Sequence, residues 1–153
     1  MATRIKPTRK SLYQDDFYVW TRRQAECLRA RRYDELDLEN LIEEVAELGD
    51  TLKKSARSRA RTIIEHLLKL QHSPAVGPRA GWRDTIRTQG DDLLDDLTPT
   101  LRRELEQELD ELYARARQRA AGSLRDHSEP AAADALPATC PYNLDQIAGD
   151  WLP

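Results

Sequence analysis

Cysteine is scarce in this chain: among 153 residues only Cys27 and Cys140 carry thiols, far apart and outside any spacing that would hold zinc or form a redox pair. A domain of this length does not need a covalent staple, so both are expected to be reduced. Glycine and proline number 6 and 8, too few for a collagen-like or low-complexity polymer. No apolar run approaches the ~18 residues that span a bilayer, and the opening Met1-Ala2-Thr3-Arg4 lacks the apolar core of a signal peptide. A cytoplasmic, membrane-free protein is the expectation from these two absences. A strong excess of one charge is missing as well. The 24 basic and 27 acidic side chains leave a net charge of −3, which argues against a general nucleic-acid binder while leaving local basic patches open.

What the chain has is 39% hydrophobic residues at helical spacing beside 33% charged ones, the balance of a single globular domain. Residues 1–10 carry Arg4, Lys6, Arg9 and Lys10 without an acid and read as a flexible basic arm; residues 11–153 read as one helical domain. From Leu12 to about Arg32, Tyr13, Phe17, Trp20, Cys27 and Leu28 recur at helical period, with Asp15 and Asp16 near the start where the helix dipole favours anions. Asp37 is placed to cap a second helix whose core stripe is Leu38, Leu41, Ile42, Val45, Leu48 and Leu52. The stripe resumes through Ala56, Ala60, Ile63, Ile64, Leu67, Leu68 and Leu70 and stops at Ser73-Pro74. Gly49 interrupts it, a residue that a closely approaching neighbour helix explains better than a bend.

Trp82, Ile86, Leu93 and Leu97 mark a further helix, and Thr98-Pro99 is a start signal for a last long one running to about Ala121, with Gly122 as its stop. Residues 125–137 are polar and alanine-rich, a linker by composition. The end of the chain is different. Tyr142, Leu144, Ile147, Trp151 and Leu152 crowd into its last fourteen residues, too apolar for a solvated tail, and Asn143 with Gln146 matches a capping box. This segment is expected to form a turn or two of helix and dock through Tyr142, Ile147 and Trp151.

The run from Asp16-Phe17 through Trp20 and Gln24-Ala25, then Leu38-Glu-Asn-Leu-Ile-Glu-Glu-Val-Ala-Glu-Leu-Gly49, His66-Leu-Leu-Lys-Leu70, Trp82 with Thr85-Ile86, and the terminal Cys140-Pro-Tyr and Asp150-Trp-Leu-Pro follow one another in a distinctive order. In these motifs the chain resembles the bacterial family called domain of unknown function 29, over about residues 11–153. The resemblance implies an all-helical domain and no established activity.

Helix two carries the most suggestive chemistry. Glu39, Glu43 and Glu47 succeed one another at i, i+4, where like charges repel, and something should relieve them. Arginines such as Arg22, Arg29, Arg57 or Arg61 would make the ridge an ordinary solvated face. A divalent cation is the alternative, with Glu44, Glu47 and His66 as the ligand set, since imidazole and carboxylates on bundle helices suit such ions. The string Leu41-Ile-Glu-Glu-Val-Ala-Glu-Leu48 also resembles the first half of the metal motif in helical nucleotide pyrophosphohydrolases related to MazG, with Glu44 and Glu47 as the matching pair. That family needs a second acidic pair on the next helix, whereas here Asp92 and Asp95 come late and the stretch from Arg57 to Lys69 offers only Glu65. Lys53, Lys54, Arg57, Arg59 and Arg61 form a cationic run without interleaved aromatics, and Trp20, Trp82 and Trp151 read as packing residues.

The sequence therefore predicts an all-α antiparallel bundle of four to five helices with a docked C-terminal segment. Its first functional reading is a non-catalytic protein-interaction module, needing no cofactor and meeting another protein or a second copy. A metal-dependent hydrolase of nucleotides or other phosphoesters is the second reading, and weak nucleic-acid binding through residues 1–10 and 53–61 the third.

Overall fold

A computed structural model describes residues 11–153, and the basic arm expected over residues 1–10 lies outside them. The described chain is all-helical, with no strand: α1 (Leu12–Asp15), α2 (Phe17–Arg29), a 3-10 turn (Tyr33–Glu35), α3 (Leu38–His72), α4 (Arg79–Asp96), α5 (Pro99–Gln107), α6 (Leu109–Asp126), α7 (Pro130–Asp134) and α8 (Leu144–Ile147). The described residues form two compact units that share α3, the first ending at Asp50 and the second running Thr51–Pro153.

In the first unit the helix expected over residues 12–32 is two helices. Asp16 leaves helical geometry and its carboxylate accepts the Val19 N–H at 3.0 Å, capping α2. The far end of α2 closes on Arg31, held at φ 57°, with the Arg32 N–H returning to the Cys27 carbonyl at 2.9 Å. Asp37 then opens α3, as its sequence position suggested. Its carboxylate accepts from the indole Nε1 of Trp20 at 3.0 Å and the side-chain amide of Asn40 at 2.8 Å, while its own N–H donates to Gln24 Oε1 at 2.9 Å. Trp20, Gln24 and Cys27 are the side chains that α2 buries.

Helix α3 runs unbroken through Gly49, where an added Cβ would meet nothing within 4 Å. The expectation of a closely packed neighbour there is thus corrected: the glycine weakens local helix propensity and makes room for nothing.

The second unit holds the main core. Ala56, Ala60, Ile63, Ile64, Leu67 and Leu68 of α3 are completely buried, against Ile86 and Leu93 of α4, Leu105 of α5, Leu112, Tyr113, Ala116 and Ala120 of α6, and Leu144 and Ile147 of α8. Each fully buried Leu or Ile contributes about 1.5–3 kcal/mol, and the alanines let helices approach closely. The long helix expected from Pro99 to Ala121 is interrupted at Glu108 alone, where the hydrogen-bond ladder continues on both sides through Glu104 and Leu112. Gly122 does not stop α6. The helix runs on to Asp126, burying Leu124, and ends where Ser128 takes φ 64° and the Glu129 N–H reaches back to the Leu124 carbonyl at 2.8 Å.

The linker expected over residues 125–137 is also corrected. It contains α7 and buries Ala133 and Leu136; the Tyr113 hydroxyl donates to the Pro137 carbonyl at 2.6 Å and Arg117 to that of Leu136 at 3.2 Å. Composition alone misses this because alanine is small enough to pack where larger apolar residues would announce themselves. The C-terminal segment docks as its apolar content requires. Asn143 and Gln146 form the anticipated capping box, Tyr142, Leu144 and Ile147 are buried, Tyr142 donates to Gln71, and Trp151 tilts against Tyr142 with ring centres 5.9 Å apart.

Candidate functional site

The residues singled out for chemistry are dispersed by the fold. Glu44 accepts the Tyr13 hydroxyl at 2.6 Å, a bond that, with burial, raises the Tyr13 pKa. Glu47 stands three positions further along the same helix. His66 belongs to the second unit, 19 positions beyond Glu47 in the sequence of α3. Its Nδ1 is buried without a hydrogen-bond partner, and burial, reinforced by the nearby Lys69 ammonium, lowers its pKa. Lys69 itself is almost fully buried and paired with Glu65 at 2.6 Å. Among the described residues no three His, Cys, Asp or Glu side chains gather where a metal ion could be held. Asp92 is engaged elsewhere, with Arg59 at 3.5 Å.

Three cations of the run, Lys53, Arg57 and Arg59, serve as internal clamps of the second unit. Lys53 reaches Glu104 at 2.8 Å and Glu108 at 3.2 Å, Arg57 reaches Glu108 at 3.2 Å, and Arg59 bridges to Asp92 and Asp96. Arg57 thus pairs with Glu108 and Glu111 inside the second unit. Among the described residues Arg22, Arg29, Glu39 and Glu43 form no ion pair.

The surface that sequence reasoning did not foresee lies in the first unit. Phe17, Trp20 and Leu28 of α2 and Leu41, Val45 and Leu48 of α3 line an open groove of about 390 Å³ whose walls are overwhelmingly apolar. Two of these residues belong to an aromatic cluster with Tyr13, which meets Trp20 edge-on at 4.9 Å and Phe17 at 5.8 Å, while Phe17 stacks on Trp20 at 5.6 Å. The stripe read as core is here largely uncovered, with Ile42 67%, Val45 61% and Leu48 72% exposed. Helical periodicity shows that a face is apolar, and it cannot show whether anything in the same chain lies against it. The stretch from Leu38 to Asp50, which carries the stripe together with five acids and no base, was the available signal.

These features define, among the described residues, an all-helical protein with an apolar groove on a helical hairpin and a separately packed core. The chain matches the family described as "Domain of unknown function DUF29" over residues 12–152 and belongs to it. It is similar to a solved alpha-helical protein of unknown function from Rhodospirillum rubrum ATCC 11170, with 27% identity, a TM-score of 0.63, and coverage of 90% of this chain and 89% of that one. No curated protein matches it.

Proposed function

We propose that this protein is a cytoplasmic, non-catalytic protein-interaction module whose contact surface is the groove between α2 and α3. The observation that carries the reading is the exposure of Phe17, Val45 and Leu48 side by side along that groove. Contiguous exposed apolar surface of this kind, rimmed by charge, marks a place where another molecule is meant to lie. The dimensions suit one face of an amphipathic helix, recognised through anchors at i, i+3 and i+4 spacing. Two free cysteines accord with a reducing compartment.

The test is site-specific photo-crosslinking in cells. A diazirine side chain at position 48 should give a discrete adduct with a protein identifiable by mass spectrometry, whereas the same group at exposed Gln118 should not. Absence of any adduct from position 48, or one pattern shared by both positions, would overturn the reading.

A further inference from the structure

We infer that the groove is closed by the groove of a second copy of this chain, so that two α2/α3 hairpins complete one four-helix bundle. The inference rests on the reading of the groove as a protein-contact surface and names its partner.

Helix α3 states the problem in its own length. Its apolar stripe is fully buried at Ala56, Ala60, Ile63 and Leu67 and mostly exposed at Leu38, Ile42, Val45 and Leu48. The pattern of the sequence is the same in both halves; what differs is that other helices cover the first set. Two antiparallel helices with one apolar face are half of a four-helix bundle, and a two-fold axis supplies a matching half, because an isologous contact sets the same patch against itself.

Charge selects that partner. Helix α2 carries Arg22, Arg23 and Arg29 against Glu26 alone, whereas α3 up to Asp50 carries Glu39, Glu43, Glu44, Glu47 and Asp50 with no base. Among the described residues Arg22, Arg23 and Arg29 form no ion pair, and neither do Glu39 and Glu43. A hairpin with one basic and one acidic helix is complementary to its own two-fold copy: each α3 lies against the partner's α2, twice over, while the arrangement that sets α3 on α3 is repelled. Such complementarity fixes orientation more than strength.

Area supplies the strength. Phe17, Leu28, Leu38, Ile42, Val45 and Leu48 are each 46% to 72% exposed. Together they present on the order of 600 Å² of apolar surface, at the upper limit for a monomer's largest patch. With a polar rim this reaches the ~800 Å² that each partner contributes to a stable interface.

Sedimentation velocity on the purified chain at micromolar concentration, with hydroxyl-radical footprinting of the same samples, tests the inference. A species of twice 17.6 kDa is expected. Ile42 and Leu48 should be protected in it and become labelled on dilution to monomer. Leu48→Asp should weaken self-association at least tenfold. Because that variant could disturb the hairpin, a charge-reversal pair provides the second measurement: Arg22→Glu with Arg29→Glu in one chain, and Glu39→Arg with Glu43→Arg in another, should each dimerise poorly alone and recombine when mixed. A dimer that persists in Leu48→Asp with its groove still labelled would overturn the inference. So would a wild-type monomer with a labelled groove, although the protein-partner reading would survive. A wild-type monomer with a protected groove would overturn both, since the chain would then cover the surface itself.

Discussion

Asp37 gathers more of the first unit than any other polar side chain. It receives the Trp20 indole and the Asn40 amide, and its N–H meets Gln24. The bonds from Asn40 and Trp20, working against burial, hold its carboxyl below the ordinary value of 3.8. A depressed carboxylate contributes stability that is present above its unfolded value and is lost as pH falls through the folded one. Asp37→Ala should therefore destabilise the hairpin by about 1 kcal/mol at pH 7, the usual worth of an N-cap, with a smaller difference below pH 3. Urea melts followed by tryptophan fluorescence at the two pH values check this, and an undiminished gap at low pH would contradict it. His66 is the converse case. Burial and Lys69 favour its neutral form, so its contribution is complete above the ordinary 6.5 and declines as pH drops below that toward the folded value. His66→Gln, which cannot titrate, should flatten the fall in melting temperature between pH 7 and pH 5.

At the scale of elements, glycines divide cleanly. Gly49 touches nothing, so Gly49→Ala should stabilise α3 by up to about 1 kcal/mol, read as a higher urea midpoint with an unchanged slope. Gly149 sits where an added Cβ would come within 2.7 Å of the Asp145 carbonyl oxygen, and a Cβ added at Gly90 of α4 would lie 3.3 Å from the Gly149 carbonyl oxygen. Gly149→Ala should lower the melting temperature and loosen the C-terminal segment, which hydrogen exchange at Leu144 and Ile147 would register. The helices that sequence reveals best are those with a complete signal. Thr98 before Pro99 caps α5 through the Leu101 N–H at 3.2 Å, and Asn143 with Gln146 caps α8. Signals that depend on side-chain competition read less well. Asp16 looked like a dipole residue inside one helix, yet its carboxylate takes a backbone donor and divides that helix in two. Residues 130–136 offered four alanines and one leucine beside Pro130 and Asp134, and the segment is held by Tyr113 and Arg117 arriving from α6.

Across the whole molecule, an all-helical fold with a docked C-terminus was legible because apolar periodicity and caps agree over most of the chain. Removing residues 140–153 strips Tyr142, Leu144 and Ile147 from the core of the second unit. With each large buried side chain worth about 1.5–3 kcal/mol, the truncated chain should lose its cooperative thermal transition; a melting curve unchanged from wild type would show that the segment contributes nothing. The candidate site was far less legible. Glu44, Glu47 and His66 share a helix and a plausible chemistry, and among the described residues no three His, Cys, Asp or Glu side chains gather as a metal site would require. The groove was hidden for the opposite reason: its residues were all named correctly as an apolar stripe, and covered and uncovered stripes look alike in a sequence.

The two thiols fall one to each unit, Cys27 of α2 completely buried and Cys140 half-buried beside Tyr142. They act as built-in clocks. Cys27 can react with a thiol reagent only as fast as the hairpin opens, while the half-exposed Cys140 reports the accessibility of the second unit in the same sample, so the timed appearance of singly modified peptides follows the two units separately with no substitution introduced. Anything that seats in the groove should slow the Cys27 clock and leave that of Cys140 running at its former rate.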